Sequence, residues 1–234
     1  MPPDGSSQRS IAGWVHQSEW LQLALVAFGY IVCAQFASVY ALTKSGVVVL
    51  WLPNAIVLSA LLLTRTRQWW KFGLVLVVSE LLSNAGVLPF GQALGFVLAN
   101  LFEVMLAGYL IRRLCGRNFA FANLREVLLF AAIAMGVAPA LAALLGSAIH
   151  FANGIELASF YEHWQIWWIG DGMGMVVLTP LLFGWLHVPG QAHQEVRPSW
   201  SERLVFALLL CALMYLIFFT TPGAQAPWIG SPLL

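Results

Sequence analysis

Charge is what this sequence has least of. Lys, Arg, Asp and Glu make up 9% of its 234 residues, whereas a soluble domain needs about 25% to cover its surface. Hydrophobic residues make up 60%, and the mean hydropathy is +0.81. Together these exclude a soluble globular domain and point to an all-α polytopic membrane bundle. A net charge of +1 leaves no global field to attract nucleic acid. Cysteine is scarce too: Cys33, Cys115 and Cys211 are odd in number, widely spaced and set in or at the end of apolar runs. That excludes a disulfide framework and a zinc-type spacing. No phosphate-cradling glycine loop and no nucleophile elbow occurs, so the chain reads as neither an enzyme nor a cofactor protein. His150 and His163 flank one loop, but two histidines at that separation are weak evidence for a metal, and no metal ligand is assigned. Residues 1–18 lack the apolar core of a signal peptide. The N-terminal tail is expected to run over residues 1–19 and a single membrane domain over 20–234.

Apolar runs place seven spans at about 20–42, 47–63, 69–85, 90–111, 124–149, 164–186 and 204–220. Pro53 fits a helix only in its first turns or at a kink, and Pro139 and Pro180 raise the same point. Arg9, Arg65, Arg67, Lys71, Arg112, Arg113, Arg117, Arg125, Arg197 and Arg203 then fall on one side, with Lys44 alone on the other. Basic residues stay inside, so the N-terminus is expected in the cytoplasm. Arg112 and Arg113 are topology determinants on this reading, with anionic lipid as a minor option. Seven spans starting inside finish outside. The final TPGAQAPWIGSPLL reads as a turn followed by the first residues of a truncated eighth helix.

Within the spans, what stands out is polar. The sixth reads WQIWWIGDGMGMVVLTPLLFGWL and places Asp171 between Gly170 and Gly172. Even on a lenient scale, a charge there costs about 2.5–3.5 kcal/mol. Glu80 with Asn84, and Asn100 with Glu103, are four and three apart in sequence, so each pair shares a helix face. From the helical rise, Asp171 lies roughly 10–12 Å, Glu80 roughly 7–9 Å and Glu103 roughly 20 Å below the outer helix ends. The three acids can therefore converge, and a Glu103–Asn84 pair is one way they would be satisfied. No basic residue inside a span is available, so some must be neutral, solvated or bound to a cation. Two readings stand: interhelical glue, or the lining of a ligand or ion pocket. Gly170 and Gly174 likewise allow two: close helix packing, or a local loosening as in discontinuous transporter helices. Trp164, Trp167 and Trp168 suit an interfacial belt, with Trp168 the candidate to roof a pocket.

LWLPNAIVLSALLL, RxxW ahead of a Glu/Asn helix, Asn-x-x-Glu, and W-x-GD-x-x-G-x-x-x-x-TP resemble the bacterial membrane-associated sensor domain of the first type. The matching residues are Trp51, Pro53, Arg67, Trp70, Glu80, Asn84, Asn100, Glu103, Trp168, Gly170, Asp171, Gly174, Thr179 and Pro180. Asn54-Ala55 depart from the family's small residues and glycine, and no shared role is carried onto Asn54. The resemblance implies a sensory module of about eight helices in the bacterial inner membrane, preceding a cytoplasmic histidine kinase, diguanylate cyclase or phosphodiesterase. Expected partners are the lipid bilayer and an unidentified small ligand, ion or membrane protein, with a homodimer as one option. Asp171, Glu80, Glu103, Asn84, Asn100 and Trp168 are the candidate sensing residues. Gly170, Gly174, Pro53 and Pro180 are the candidate packing or hinge positions. The rival class is a small-solute transporter or its membrane subunit.

Overall fold

In the computed structural model, residues 18–40, 50–117, 119–154 and 157–186 are described. All regular structure among them is helical: α1 Glu19–Tyr40, α2 Pro53–Leu63, a 3-10 turn Thr66–Gln68, α3 Trp69–Ser83, α4 Phe90–Cys115, α5 Leu124–Ala131, a π segment Ala132–Val137, α6 Ala138–Ala152 and α7 Leu157–Leu186. The chain divides into two units, Met1–Val188 and Pro189–Leu234, and every described residue belongs to the first. The expected seventh span, the polar tail of residues 1–17 and the terminal segment lie outside the described residues.

Local chemistry fixes the helix ends. Ser18 caps α1, its Oγ accepting from the Leu21 amide at 3.3 Å, as an N-cap serine should. Asn123 and Glu126 form a reciprocal cap on α5: Asn123 Oδ1 accepts the Glu126 amide and its Nδ2 donates back to the Glu126 carboxylate. Gly116, at φ +87°, closes α4 in a conformation that side chains other than glycine resist. Pro53 sits at the first position of α2, where its missing N–H would be unsatisfied in any case.

Four helical stretches are long and apolar enough to cross a membrane: Glu19–Ser38, Phe90–Cys115, Leu124–Ala152 and Ser159–Leu186. The second and third expected spans come out shorter. α2 has 11 residues and α3 has 15, about 16 and 22 Å of helix, against roughly 20 residues for a span. The cause in α2 is Pro53, which lets helix begin only there. The loop expected between His150 and His163 is largely helix instead. α6 runs to Ala152 and α7 starts at Leu157, because LASFYEHWQ contains no residue that would stop a helix. α7 also passes through Pro180 unbroken.

α2 is the centre. Eight of its 11 residues are buried, on every side of the helix. One face packs Val57 and Leu61 against Val26 and Tyr30 of α1, Phe72 and Leu76 of α3, and Val97 and Val104 of α4. The other packs Ala55, Leu58 and Leu62 against Ala107 and Ile111 of α4, Phe130, Ile133, Ala134 and Ala138 of the α5–α6 stretch, and Met175 and Phe183 of α7. α1 is peripheral. It buries Val26, Tyr30, Ala34 and Ala37 along one stripe and exposes Trp20, Phe28 and Phe36.

Candidate functional site

Between these two apolar clusters runs a continuous chain of polar side chains. Tyr30 of α1 donates its hydroxyl to Glu80 Oε2 of α3 at 2.8 Å. Asn100 of α4 donates Nδ2 to Glu80 Oε1 at 2.7 Å. Asn54 of α2 donates Nδ2 both to Asn100 Oδ1 and to Glu103 Oε2, each at 3.0 Å. Trp51, just ahead of α2, donates its indole N–H to Asn54 Oδ1 at 3.2 Å. On α7, Trp167 donates its indole N–H to Asp171 Oδ2 at 2.8 Å. Tyr30, Asn54, Glu80, Asn100, Glu103 and Asp171 are all buried. Four helices, α1 to α4, meet in one hydrogen-bonded system, and the Trp167–Asp171 pair of α7 lies against it.

Its electrostatics are uneven. Glu80 accepts from two neutral donors and Asp171 from one. Glu103 Oε1 receives nothing from a neighbouring amide, indole or hydroxyl; its carboxyl group faces that of Asp171 within hydrogen-bonding reach. The one salt bridge among the described residues is Lys71 to Glu19, outside this network. Facing carboxylates repel unless something neutralises them. The Glu103–Asp171 contact is therefore the least compensated point of the network, and it is where α4 meets α7.

The glycines explain how α7 reaches that position. A Cβ on Gly174 would lie 2.1 Å from the Trp51 carbonyl oxygen and 2.8 Å from its carbon. The Gly170 carbonyl accepts the Trp51 amide at 3.2 Å. A Cβ on Gly172 would lie 3.1 Å from both the Cα and the oxygen of Met135. α7 stays helical throughout, and Gly174 lies where a Cβ would meet the Trp51 backbone. The entry to α2, Trp51 and Leu52, lies directly on Gly174.

Trp168 points elsewhere. Its indole donates to the Met135 carbonyl at 2.7 Å, inside the π segment. Four residues on from Met135 stands Pro139, which has no N–H to supply the usual i→i−4 bond. The indole of α7 takes the place of that missing amide. Both the π segment and the proline interrupt the regular i→i−4 ladder of the helix.

Of the sequence-derived candidates, Glu80, Asn100, Glu103 and Asp171 come together. Asn84 does not: it caps the end of α3, its amide bonding to the Glu80 carbonyl at 2.9 Å, and it is half-buried. The expected Glu103–Asn84 pair is replaced by Glu103–Asn54 and Glu80–Asn100. Pro180 lies within α7, and the hydroxyl of its neighbour Thr179 is buried without a partner. Tyr30, Trp51, Asn54 and Trp167 were not among the candidates. Trp167 was within reach, standing four residues before Asp171 and so on the same helix face. Tyr30 carried no such signal.

At the other end of α2, Arg112 of α4 donates Nη2 to the carbonyls of Leu62 and Thr64 at 2.7 and 2.6 Å. Trp69 adds its indole to the Leu61 carbonyl at 2.8 Å. A cation on the last carbonyls of a helix is favourable, so Arg112 anchors α2 as well as adding to the basic side.

The family model MASE1, the membrane-associated sensor domain of type one, matches residues 20–232. The chain belongs to the MASE1 family. It is thus a membrane sensory domain, and the polar network lies inside the matched region. No curated protein and no solved structure matches the chain.

Proposed function

We propose that this MASE1 chain is the membrane-embedded input module of a bacterial signalling protein. On this reading it crosses the inner membrane seven times within the present sequence, with its N-terminus in the cytoplasm. It passes a change in helix packing to a cytoplasmic effector, a histidine kinase in a two-component system or an enzyme of cyclic di-GMP metabolism. The supporting observation is the single polar chain from Tyr30 to Trp167. Hydrogen bonds tie α1, α2, α3 and α4 together, so a shift among them changes which donors an acid retains, and a shift of α7 changes how closely Asp171 faces Glu103. A small ligand, an ion or a membrane partner that binds two packings unequally would shift the population between them.

Glu103 and Asp171 are the contact at which such a change begins, with Glu80 and Asn100 transmitting it towards α1 and α3. The buried glycine seat of Trp51 on α7 makes that helix the element that repacks. Asp171→Asn keeps the shape and the Trp167 bond while removing the acid, so the variant should insert normally. In the full-length signalling protein its effector output should shift towards one extreme and lose its response to stimulus. Unchanged, still responsive output in that variant would remove Asp171 from the mechanism.

A further inference from the structure

A second polar cluster stands apart from the acids. His150, in the last turn of α6, and His163 of α7 hold their ring centres 5.1 Å apart. Phe96 of α4 packs on His150 at 4.8 Å, and Trp167 lies 6.3 Å from His150 and 5.1 Å from Phe96. The Nδ1 of His163 lies 2.7 Å from the Ser159 carbonyl. A carbonyl oxygen only accepts, so this nitrogen carries the hydrogen and Nε2 presents a lone pair. That Nε2 is buried without a partner, and so is Nδ1 of His150.

Buried ring nitrogens without partners are costly, and two on neighbouring rings call for a common occupant. Two imidazoles bound at about 2.0–2.1 Å to one tetrahedral ion keep their ring centres about 5 Å apart. The backbone bond to Nδ1 of His163 is the kind that orients metal-binding histidines. We propose that His150 and His163 bind a first-row transition-metal ion of the Zn2+ type between the end of α6 and the first turns of α7. Imidazole suits zinc, copper and nickel. No group of three or more His, Cys, Asp or Glu side chains gathers among the described residues. The two ring nitrogens would be the ion's protein ligands, and water would fill its remaining positions.

The ion would clamp α6 to α7 across the turn at Gly154. His163 stands one helical turn before Trp167, the residue that holds Asp171. The proposal needs only the histidine geometry and stands or falls separately from the acids' role in sensing.

The test uses the chain with His16, His187 and His193 replaced by alanine, purified through a histidine-free tag into nanodiscs. Titration with ZnCl2 should show one saturable ion per chain. His150→Ala and His163→Ala should each weaken binding at least tenfold, with helix content by circular dichroism unchanged. Bound Cu2+ should give an electron paramagnetic resonance spectrum with two ring-nitrogen couplings. The spectrum also decides the matter if an alanine variant fails to fold. Absence of saturable binding, equal affinity in the variants, or a copper spectrum without nitrogen coupling would overturn the site and leave a water-bridged pair.

Discussion

Asn54 does more than any other side chain to hold the polar network together. Its amide gives two hydrogen bonds and receives one. Polar contacts between membrane helices contribute about 0.6 kcal/mol each on average, which would make Asn54→Leu a mild change. The leucine, however, leaves Trp51 Nε1, Asn100 Oδ1 and Glu103 Oε2 buried and unpaired, and each orphan costs about 1–3 kcal/mol. The orphan cost wins. Asn54→Leu should lower stability by about 2–4 kcal/mol in SDS titrations of the detergent-solubilised chain. Asn84→Leu, at the half-buried helix cap, should cost about 0.5 kcal/mol or less, as exposed substitutions do. Equal costs for the two would mean that the network contributes nothing beyond ordinary packing. Sequence reasoning paired the asparagines by spacing along one helix, which finds Asn100 beside Glu103. It could not see Asn54, whose partners are 46 and 49 residues away. Its only local signal was an amide beside Pro53 in an apolar run.

Among the helices, α7 is the one whose sequence is least free. Gly172 and Gly174 lie where a Cβ would press on the Met135 and Trp51 backbones, and the Gly170 carbonyl accepts the Trp51 amide. Gly174→Ala would drive a Cβ into the Trp51 carbonyl at 2.1 Å, against backbone that cannot rotate away. α7 would have to move off the entry to α2, with a loss of at least about 3 kcal/mol, beyond ordinary overpacking. Gly184→Ala meets nothing within 4 Å and should stabilise slightly, since alanine is the better helix former. Thermal melts of the two variants compare them directly; similar melting temperatures would contradict the close seating of Trp51 on α7. The span positions of α4, of the α5–α6 stretch and of α7 were legible from apolar length alone. The early start of α7 was not, because polar residues at a membrane surface do not distinguish helix from loop. The π segment was equally hidden. Pro139 announced a defect in the backbone, but only the tertiary position of Trp168 shows how that defect is satisfied.

At the scale of the whole molecule, the question is how two short helices share a bilayer with long ones. α2 is almost fully buried, so lipid need not match its 11 residues; α1, α4 and α7 set the thickness around it. The chain ends that emerge from α2 and α3 then lie in protein or at its surface, which non-helical backbone at membrane depth requires. Arg65 and Arg67 lie between α2 and α3 and Lys71 in the first turn of α3, and Arg112, Arg113, Arg117 and Arg125 cluster about the end of α4 and the start of α5. Arg112 reaches from the second group to the carbonyls that end α2 beside the first. Both basic groups therefore belong to one end of the bundle, the end that the proposed orientation places in the cytoplasm. Gly154, between α6 and α7, is separated from that end by the full α5–α6 stretch of 29 residues, about 43 Å of helix. Single cysteines placed by Arg67→Cys and Gly154→Cys, with the native cysteines replaced by serine, should react with a membrane-impermeant maleimide from opposite sides. In intact spheroplasts Gly154→Cys should label and Arg67→Cys should not, with both labelled once the membrane is opened. Labelling of Arg67→Cys from outside would reverse the orientation, and labelling of both from one side would show that the α5–α6 stretch does not cross.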